Sequence, residues 1–144
     1  MDETLYAEDM NYYKTGKQNP ETILQEVVAM IENAGGAVTH YAFLYQNGQD
    51  FVIMQWEFGN TQFRKHYPVL PQKTPSKSIL AAKRQAVTAL KHYVKSRVLD
   101  VRYDGFEAAF AGSAVYQGRT VEELVASGGM LALTDGVVDI GVSE

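Results

Sequence analysis

The chain has 144 residues, a mass of 16.0 kDa and a formal net charge of −4 at pH 7. That length suits a single domain, and 46% hydrophobic with 21% charged residues is typical of a globular protein rather than of an intrinsically disordered chain. The absence of cysteine excludes disulfides, Cys-ligated zinc sites and a cysteine nucleophile.

The N-terminal part of the chain predicts an arm followed by a helix. Residues 1–18 are polar, and we expect them to form an arm that is either mobile or docked on the domain. Asn19-Pro20 predicts the helix start, because Asn caps helices and Pro is favoured at the first helical position. An apolar stripe at helical spacing follows, and Gly35-Gly36 ends the helix.

Three antiparallel strands joined by tight turns are predicted next. The first strand, 37–46, is aromatic and β-branched and ends at Asn47-Gly48, a dipeptide that favours a two-residue type I′ turn. The second strand, 50–58, ends at Gly59-Asn60, and the third runs over about 61–67. Two-residue turns determine which residues lie opposite each other.

The predicted register divides the side chains of this meander between two faces. One face is almost entirely aromatic or aliphatic and is expected to be the core side; it comprises Tyr41, Phe43, Tyr45, Val52, Met54, Trp56, Phe58, Phe63 and Tyr67. The other face is mixed, and we expect it to be at least partly exposed. Its candidate protein interface consists of His40, Leu44, Phe51, Ile53, Gln55 and His66.

A long helix and a small C-terminal cap follow a stiff, proline-rich connector. Ser76 predicts the N-cap of a helix over about 77–99. Thr120 and Glu123 have the spacing of a capping box and open a short helix over about 121–127. The predicted fold class is therefore α+β: a three-stranded antiparallel meander with two main helices packed on one face, in the order α-β-β-β-α, plus a small C-terminal α/β cap.

The expected boundaries are one domain over 19–127 and a C-terminal tail over 128–144, in which Asp135-Gly136 is typical of a small hairpin. The acidic N-terminus lacks the apolar stretch of a secretory signal, and no apolar run reaches the ~18 residues that cross a membrane. We therefore expect a cytoplasmic protein without a membrane partner.

The small net charge conceals an uneven distribution of acidic and basic residues along the chain. Residues 1–60 hold nine acids and two bases (−7), residues 61–102 one acid and ten bases (+9), and residues 103–144 seven acids and one base (−6). The basic block predicts a face that binds nucleic acid or an acidic protein surface, because cations repeated along a helix can neutralise a phosphate backbone. The cations assigned to it are Arg64, Lys65, Lys77, Arg84, Lys91 and Lys95. The alternative is a solvated face whose cations are paired with the acidic flanks.

Motifs for nucleotide or nucleophile chemistry are absent: the sequence has no P-loop, no G-x-G-x-x-G and no G-x-S-x-G. We predict no catalytic residue, no metal site and no cofactor. A non-enzymatic protein that binds through the basic block is the first hypothesis. The second is a homodimeric interaction module, or an inhibitor of a host defence enzyme, that uses the candidate interface. A small hydrolase or nuclease is the third, and it requires a pocket on the face that holds His40 and His66.

Two parts of the sequence resemble known families. The order helix, three strands, helix over about 19–98 is similar to the double-stranded-RNA-binding domain, and Pro20–Glu26 resembles that family's first helix. This resemblance implies RNA binding. The family's Lys- and Gly-rich element at the start of the second helix is here reduced to Ser76-Lys77.

The second resemblance covers about 82–125. Its residues are Ala82–Arg102, Gly105-Phe106-Glu107, Phe110 and Gly118-Arg119-Thr120-Val121. They resemble a set of small phage and prophage proteins of unknown function, which share an amphipathic helix, an F-E-x-x-F element and a G-R-T-hydrophobic element. The resemblance implies a phage or mobile-element setting, with the cytoplasm of a bacterial host as the location, and it implies no catalytic residues.

Overall fold

The computed structural model describes residues 4–13, 18–73 and 79–129. Two long helices and one three-stranded sheet account for most of them. Helices α1 and α2 span Pro20–Asn33 and Ile79–Asp104, and strands β1, β2 and β3 span Ala37–Gln46, Gln49–Phe58 and Thr61–Pro68. The predicted α+β class and the order α-β-β-β-α are confirmed.

A small cap follows the second long helix. It consists of α3 (Phe106–Ala109), the hairpin strands β4 (Val115–Tyr116) and β5 (Arg119–Thr120), and α4 (Val121–Leu124), which continues into a π-helical turn. The predicted capping box is present: Thr120 Oγ1 accepts the N–H of Glu123 at 3.1 Å, and Glu123 Oε1 accepts the N–H of Thr120 at 2.9 Å. The hairpin expected near Asp135 lies outside the described residues.

The sheet has the strand order β1-β2-β3, and both pairs are antiparallel. Asn47 and Gly48 have φ angles of 54° and 76°, as the type I′ turn requires at both central positions. The strand pairs follow the predicted register, with His66 opposite Ile53, apart from one irregularity near the start of β1. The two tight turns, Asn47-Gly48 and Gly59-Asn60, therefore account for the register of the meander.

The core lies between the apolar face of the sheet and the two long helices. Its largest side chains are aromatic: Trp56 and Phe63 come from the sheet, and Phe106 and Phe110 come from the segment after α2. The ring of Trp56 lies 5.9 Å from that of Phe63 and 5.3 Å from that of Phe110, centroid to centroid. Such stacked and edge-to-face pairs add to the stabilisation from buried apolar area.

Two details differ from the sequence predictions. Helix α2 continues past 99 to Asp104, because no Gly or Pro interrupts it before Gly105, whose φ of 88° is unfavourable for a helix. Tyr41 and Tyr45 lie on the predicted core side but are 39% and 71% exposed. The reason is that β1 is an edge strand, and the helices leave these two rings partly uncovered.

Residues 4–13, which we call the docked arm, pack against α2 and the connector after β3. Ala7 is fully buried, and its N–H donates to the carbonyl of Pro71 at 2.8 Å. The side-chain amide of Gln85 on α2 donates to the carbonyls of Ala7 and Asn11, both at 2.9 Å. The sequence left open whether the arm is mobile or docked on the domain; residues 4–13 are docked.

Candidate interaction surfaces

The candidate interface predicted from the sequence lies on the side of the sheet away from the helices, which we call the outer face. Leu44 is 40% exposed there, and Phe51 and Ile53 are half-buried. Leu44 lies opposite Phe51, and Ile53 lies opposite His66, so these side chains point to the same side. They line a shallow concavity of about 560 Å³.

The remaining members of this interface lie toward the start of β1. His40 is opposite Gln55 on the outer face. One strand and an offset of two residues separate His40 from His66, which places their Cα atoms about 12 Å apart. The two imidazoles are therefore not direct neighbours; His66 lines the concavity on this face, and His40 lies outside its lining. Within residues 4–13, 18–73 and 79–129 there is no cluster of three or more side chains able to hold a metal ion.

A carboxylate from the cap reaches the rim of the outer face. Glu123 Oε1 accepts a hydrogen bond from Arg64 Nη2 at 2.8 Å, and Glu123 Oε2 lies 3.5 Å from His66 Nδ1. Desolvation by itself raises the pKa of Glu123. The hydrogen bonds from Thr120 and Arg64 outweigh it, so this pKa lies below its usual value. Sequence reasoning had identified Glu123 only as a capping residue, because its partner on β3 is 59 residues away.

Arg64 and Lys65 do not share one surface, because adjacent residues of a strand point to opposite sides of the sheet. Lys65 lies on the helix side, where its Nζ is 2.8 Å from Glu122 Oε1 and 4.5 Å from the centre of the Tyr93 ring. Burial raises the pKa of Tyr93, whose hydroxyl contacts Ser113 and donates to Glu122 at 3.2 Å. Lys65 is therefore part of an internal polar network.

Part of the predicted cationic stripe lies along one face of α2. Its described members are Arg84, Lys91 and Lys95. Arg84 Nε donates to the carbonyl of Gln18 at 2.7 Å, and Lys91 Nζ lies 2.8 Å from Glu26 Oε1. The hydrogen bond from Lys91 is the main reason why the pKa of Glu26 is lowered.

Acidic residues from the flanking segments neutralise part of the basic block. Three of its six predicted cations form ion pairs with glutamates from the flanking acidic segments. Lys95 differs, because it is exposed and has no ion pair with any residue that the structure describes. Lys77 lies outside the described residues. The arrangement leaves a smaller cationic surface on α2 than the sequence predicts.

The outer edge of β1 is open. The strand has ten residues, none of them charged and none proline. Counting from the two-residue turn, the backbone N–H and C=O groups of Tyr41, Phe43 and Tyr45 point away from β2. No backbone group or side chain in the described ranges forms a hydrogen bond with them. The opposite edge is different, since Phe63 of β3 is bridged to Ala114.

Comparison of the chain with protein-family models, curated proteins and solved structures found no match. Among the residues with described structure, no helix has the length and apolar character needed to cross a membrane.

Proposed function

We propose that the protein is a non-enzymatic, homo-oligomeric protein-interaction module. The observation that carries this proposal is the open edge of β1, which is ten residues long, uncharged and unpaired within the described chain. Free backbone groups on such an edge are a template for pairing with another strand, and proteins normally protect them with charges, proline or a covering segment. The inferred partner is a second copy of this chain, because two uncharged β1 strands meet without like-charge repulsion.

Antiparallel pairing of two β1 strands about a two-fold axis would join the two sheets into one six-stranded sheet. With the axis at Phe43, Tyr41 of one copy lies opposite Tyr45 of the other, and Ala42 lies opposite Leu44. Both tyrosines are exposed in the single chain, at 39% and 71%, so the pairing covers rings that are otherwise in water. The pairing of a small residue with a large one avoids a steric clash on the outer face.

The outer face would then continue from one copy into the next. Leu44 lies at the seam, beside Phe51 and Ile53 of its own chain. The assembled dimer would present a larger apolar surface than one chain does, and surfaces of that kind bind other proteins. In the phage setting suggested by the resemblance over 82–125, a host protein is the fitting partner for this surface.

Light scattering over a wide concentration range tests the assembly. The purified chain should rise in mass toward twice 16.0 kDa. Tyr45→Pro should remain monomeric, because proline removes the N–H that would bond to the second copy. The β1–β2 ladder does not use this N–H, so the fold of the single chain should be kept. Tyr45→Thr is the matched control: it removes the same ring but keeps the N–H, and it should still dimerise. A wild-type chain that stays at 16.0 kDa at every concentration would overturn the proposal, and so would dimerisation of Tyr45→Pro.

A second candidate function is the binding of nucleic acid by α2. The observation that favours it is the exposed Lys95, which lies on the same helix face as Arg84 and Lys91. Affinity for duplex RNA or DNA should fall steeply with salt and should fall again in Lys95→Glu. Glu26→Gln should raise the affinity, since it frees Lys91 from its ion pair. Affinity that responds neither to salt nor to these two substitutions would exclude this function.

A further inference from the structure

The outer face of the sheet keeps an apolar patch in contact with solvent. The concavity of about 560 Å³ described above has an apolar floor, formed by Leu44, Phe51, Ile53 and Pro68. Leu44 is 40% exposed, although it lies opposite Phe51 and is surrounded by apolar side chains of the neighbouring strands. An exposed apolar hollow with a polar rim is typical of a surface that another segment or another protein covers.

The described chain ends beside this concavity. Glu123 of α4 lines it on the β3 side. Ala126, about one turn further along, lines a neighbouring hollow together with Arg64 and His66, which also line the concavity. Gly129 is the last residue that the structure describes, and three residues span at most about 11 Å. The segment 130–144 therefore begins close to the rim of the concavity.

The sequence of this segment is suited to covering an apolar surface. Eight of its fifteen residues are aliphatic, among them Leu131, Leu133, Val138 and Ile140, and it has no Lys or Arg. Segments that stay disordered are poor in such side chains, because they cannot bury enough apolar surface to offset the loss of chain entropy. The composition therefore favours a segment that packs against another apolar surface.

The segment is also long enough to cross the concavity. Fifteen residues in an extended conformation reach at most about 50 Å. Neighbouring strands lie about 4.8 Å apart, so β1 and β3 are separated by about 10 Å across β2. Part of the segment is therefore sufficient to lead from Gly129 past β3 to Leu44 on β1.

We propose that the segment 130–144 docks in the outer-face concavity of its own chain. Aliphatic side chains of the segment pack against Leu44, Phe51 and Ile53, and the burial of apolar area on both sides drives the docking. The same chain is the favoured donor of the segment, because a short tether holds it at an effective concentration on the order of millimolar.

The docked segment would compete with a host protein for the outer face. This consequence rests on the proposed function, whereas the docking itself does not. The free backbone groups of β1 lie in the plane of the sheet, so a segment lying over its outer face leaves the pairing of two β1 strands possible.

Backbone ¹⁵N relaxation of the full-length chain tests the docking. Part of the segment 130–144 should have order parameters near about 0.85, the value of rigid backbone. Order parameters below about 0.6 throughout the segment would overturn the proposal. The measurement is repeated on Tyr45→Pro, which removes a backbone N–H of the β1 edge and no side chain of the concavity. A segment that is rigid in the wild type but not in Tyr45→Pro would belong to a second copy and would also overturn it.

Substitution of the apolar floor tests the location. Phe51→Ser should release the segment and lower its order parameters below about 0.6. Where the loss of Phe51 unfolds the sheet, Leu44→Ser makes the same test at a more exposed position of an edge strand. Tyr103→Ser is the matched control, because it removes an exposed ring of α2 outside the concavity and should leave the segment rigid. A segment that stays rigid when the floor is altered would show that it docks elsewhere and would contradict the proposal.

Discussion

Nη2 of Arg64 lies 2.8 Å from Oε1 of Glu123, and this contact joins the outer face of the sheet to the C-terminal cap. The same oxygen accepts the backbone N–H of Thr120, so one carboxylate closes the capping box of α4 and also neutralises a strand cation. This ion pair therefore adds a charged contact to the packing that holds the cap on the sheet.

Replacing Glu123 by alanine should destabilise the fold by about 1–3 kcal/mol, because the capping bond and the charge-assisted bond to Arg64 are lost together. Urea denaturation monitored by circular dichroism measures the change. Glu57→Ala is the control: it removes an exposed carboxylate of β2 and should change the unfolding free energy by less than about 0.5 kcal/mol. Equal effects of the two substitutions would count against the role assigned to Glu123.

The same carboxylate predicts a pH dependence. The pKa of Glu123 is lower in the folded protein than its usual value of 4.5. At acid pH its carboxyl group therefore binds fewer protons in the folded state than in the unfolded state. Its contribution is present above pH 4.5 and is lost as the pH falls through the folded pKa. The difference in unfolding free energy between wild type and Glu123→Gln should therefore shrink in acid. A difference that grows there would contradict the sign.

Gln85→Leu should loosen the docked arm. The carbonyls of Ala7 and Asn11 lose their buried donor, which costs about 1–3 kcal/mol. Hydrogen exchange at the Ala7 N–H should accelerate, while Gln62→Leu, at an exposed position of β3, should leave it unchanged. Exchange at Ala7 as slow as in the wild type would show that the arm does not depend on Gln85.

Phe110→Ala should cost about 3–5 kcal/mol, because Phe110 is completely buried and its removal leaves a cavity against Trp56. Trp56 is the single tryptophan of the chain, so its fluorescence reports directly on this packing and should shift to the red. Tyr103→Ala removes a ring that is 82% exposed and should alter neither stability nor emission. Similar losses from both substitutions would contradict the assigned core.

Much of the fold could be predicted because it depends on short-range contacts. Asn47-Gly48 specified the register of β1 and β2, and Asn19-Pro20 specified the start of α1, since turns and caps involve only neighbouring residues. The position of Phe51 on the outer face followed from that register. The length of α2 was underestimated, because the helix stops only at Gly105.

The sequence could not predict in the same way which cations of the basic block are neutralised. Strand alternation alone separates Arg64 from Lys65, but nothing local indicates which acids neutralise them. Their partners are 59 and 57 residues away, on a cap whose position on the sheet results from packing. The inward orientation of Gln85 has a similar origin, since its acceptors belong to an arm up to 78 residues earlier in the chain.

The sequence by itself determined the elements, the sheet register, the capping box and the uncharged character of β1, because each depends on residues a few positions apart. Only the tertiary structure decided which cations remain free, that one edge of the sheet stays open, and that a polar side chain of α2 holds the docked arm. These features depend on how distant segments pack, because that packing selects the partner of each charge and each buried polar atom.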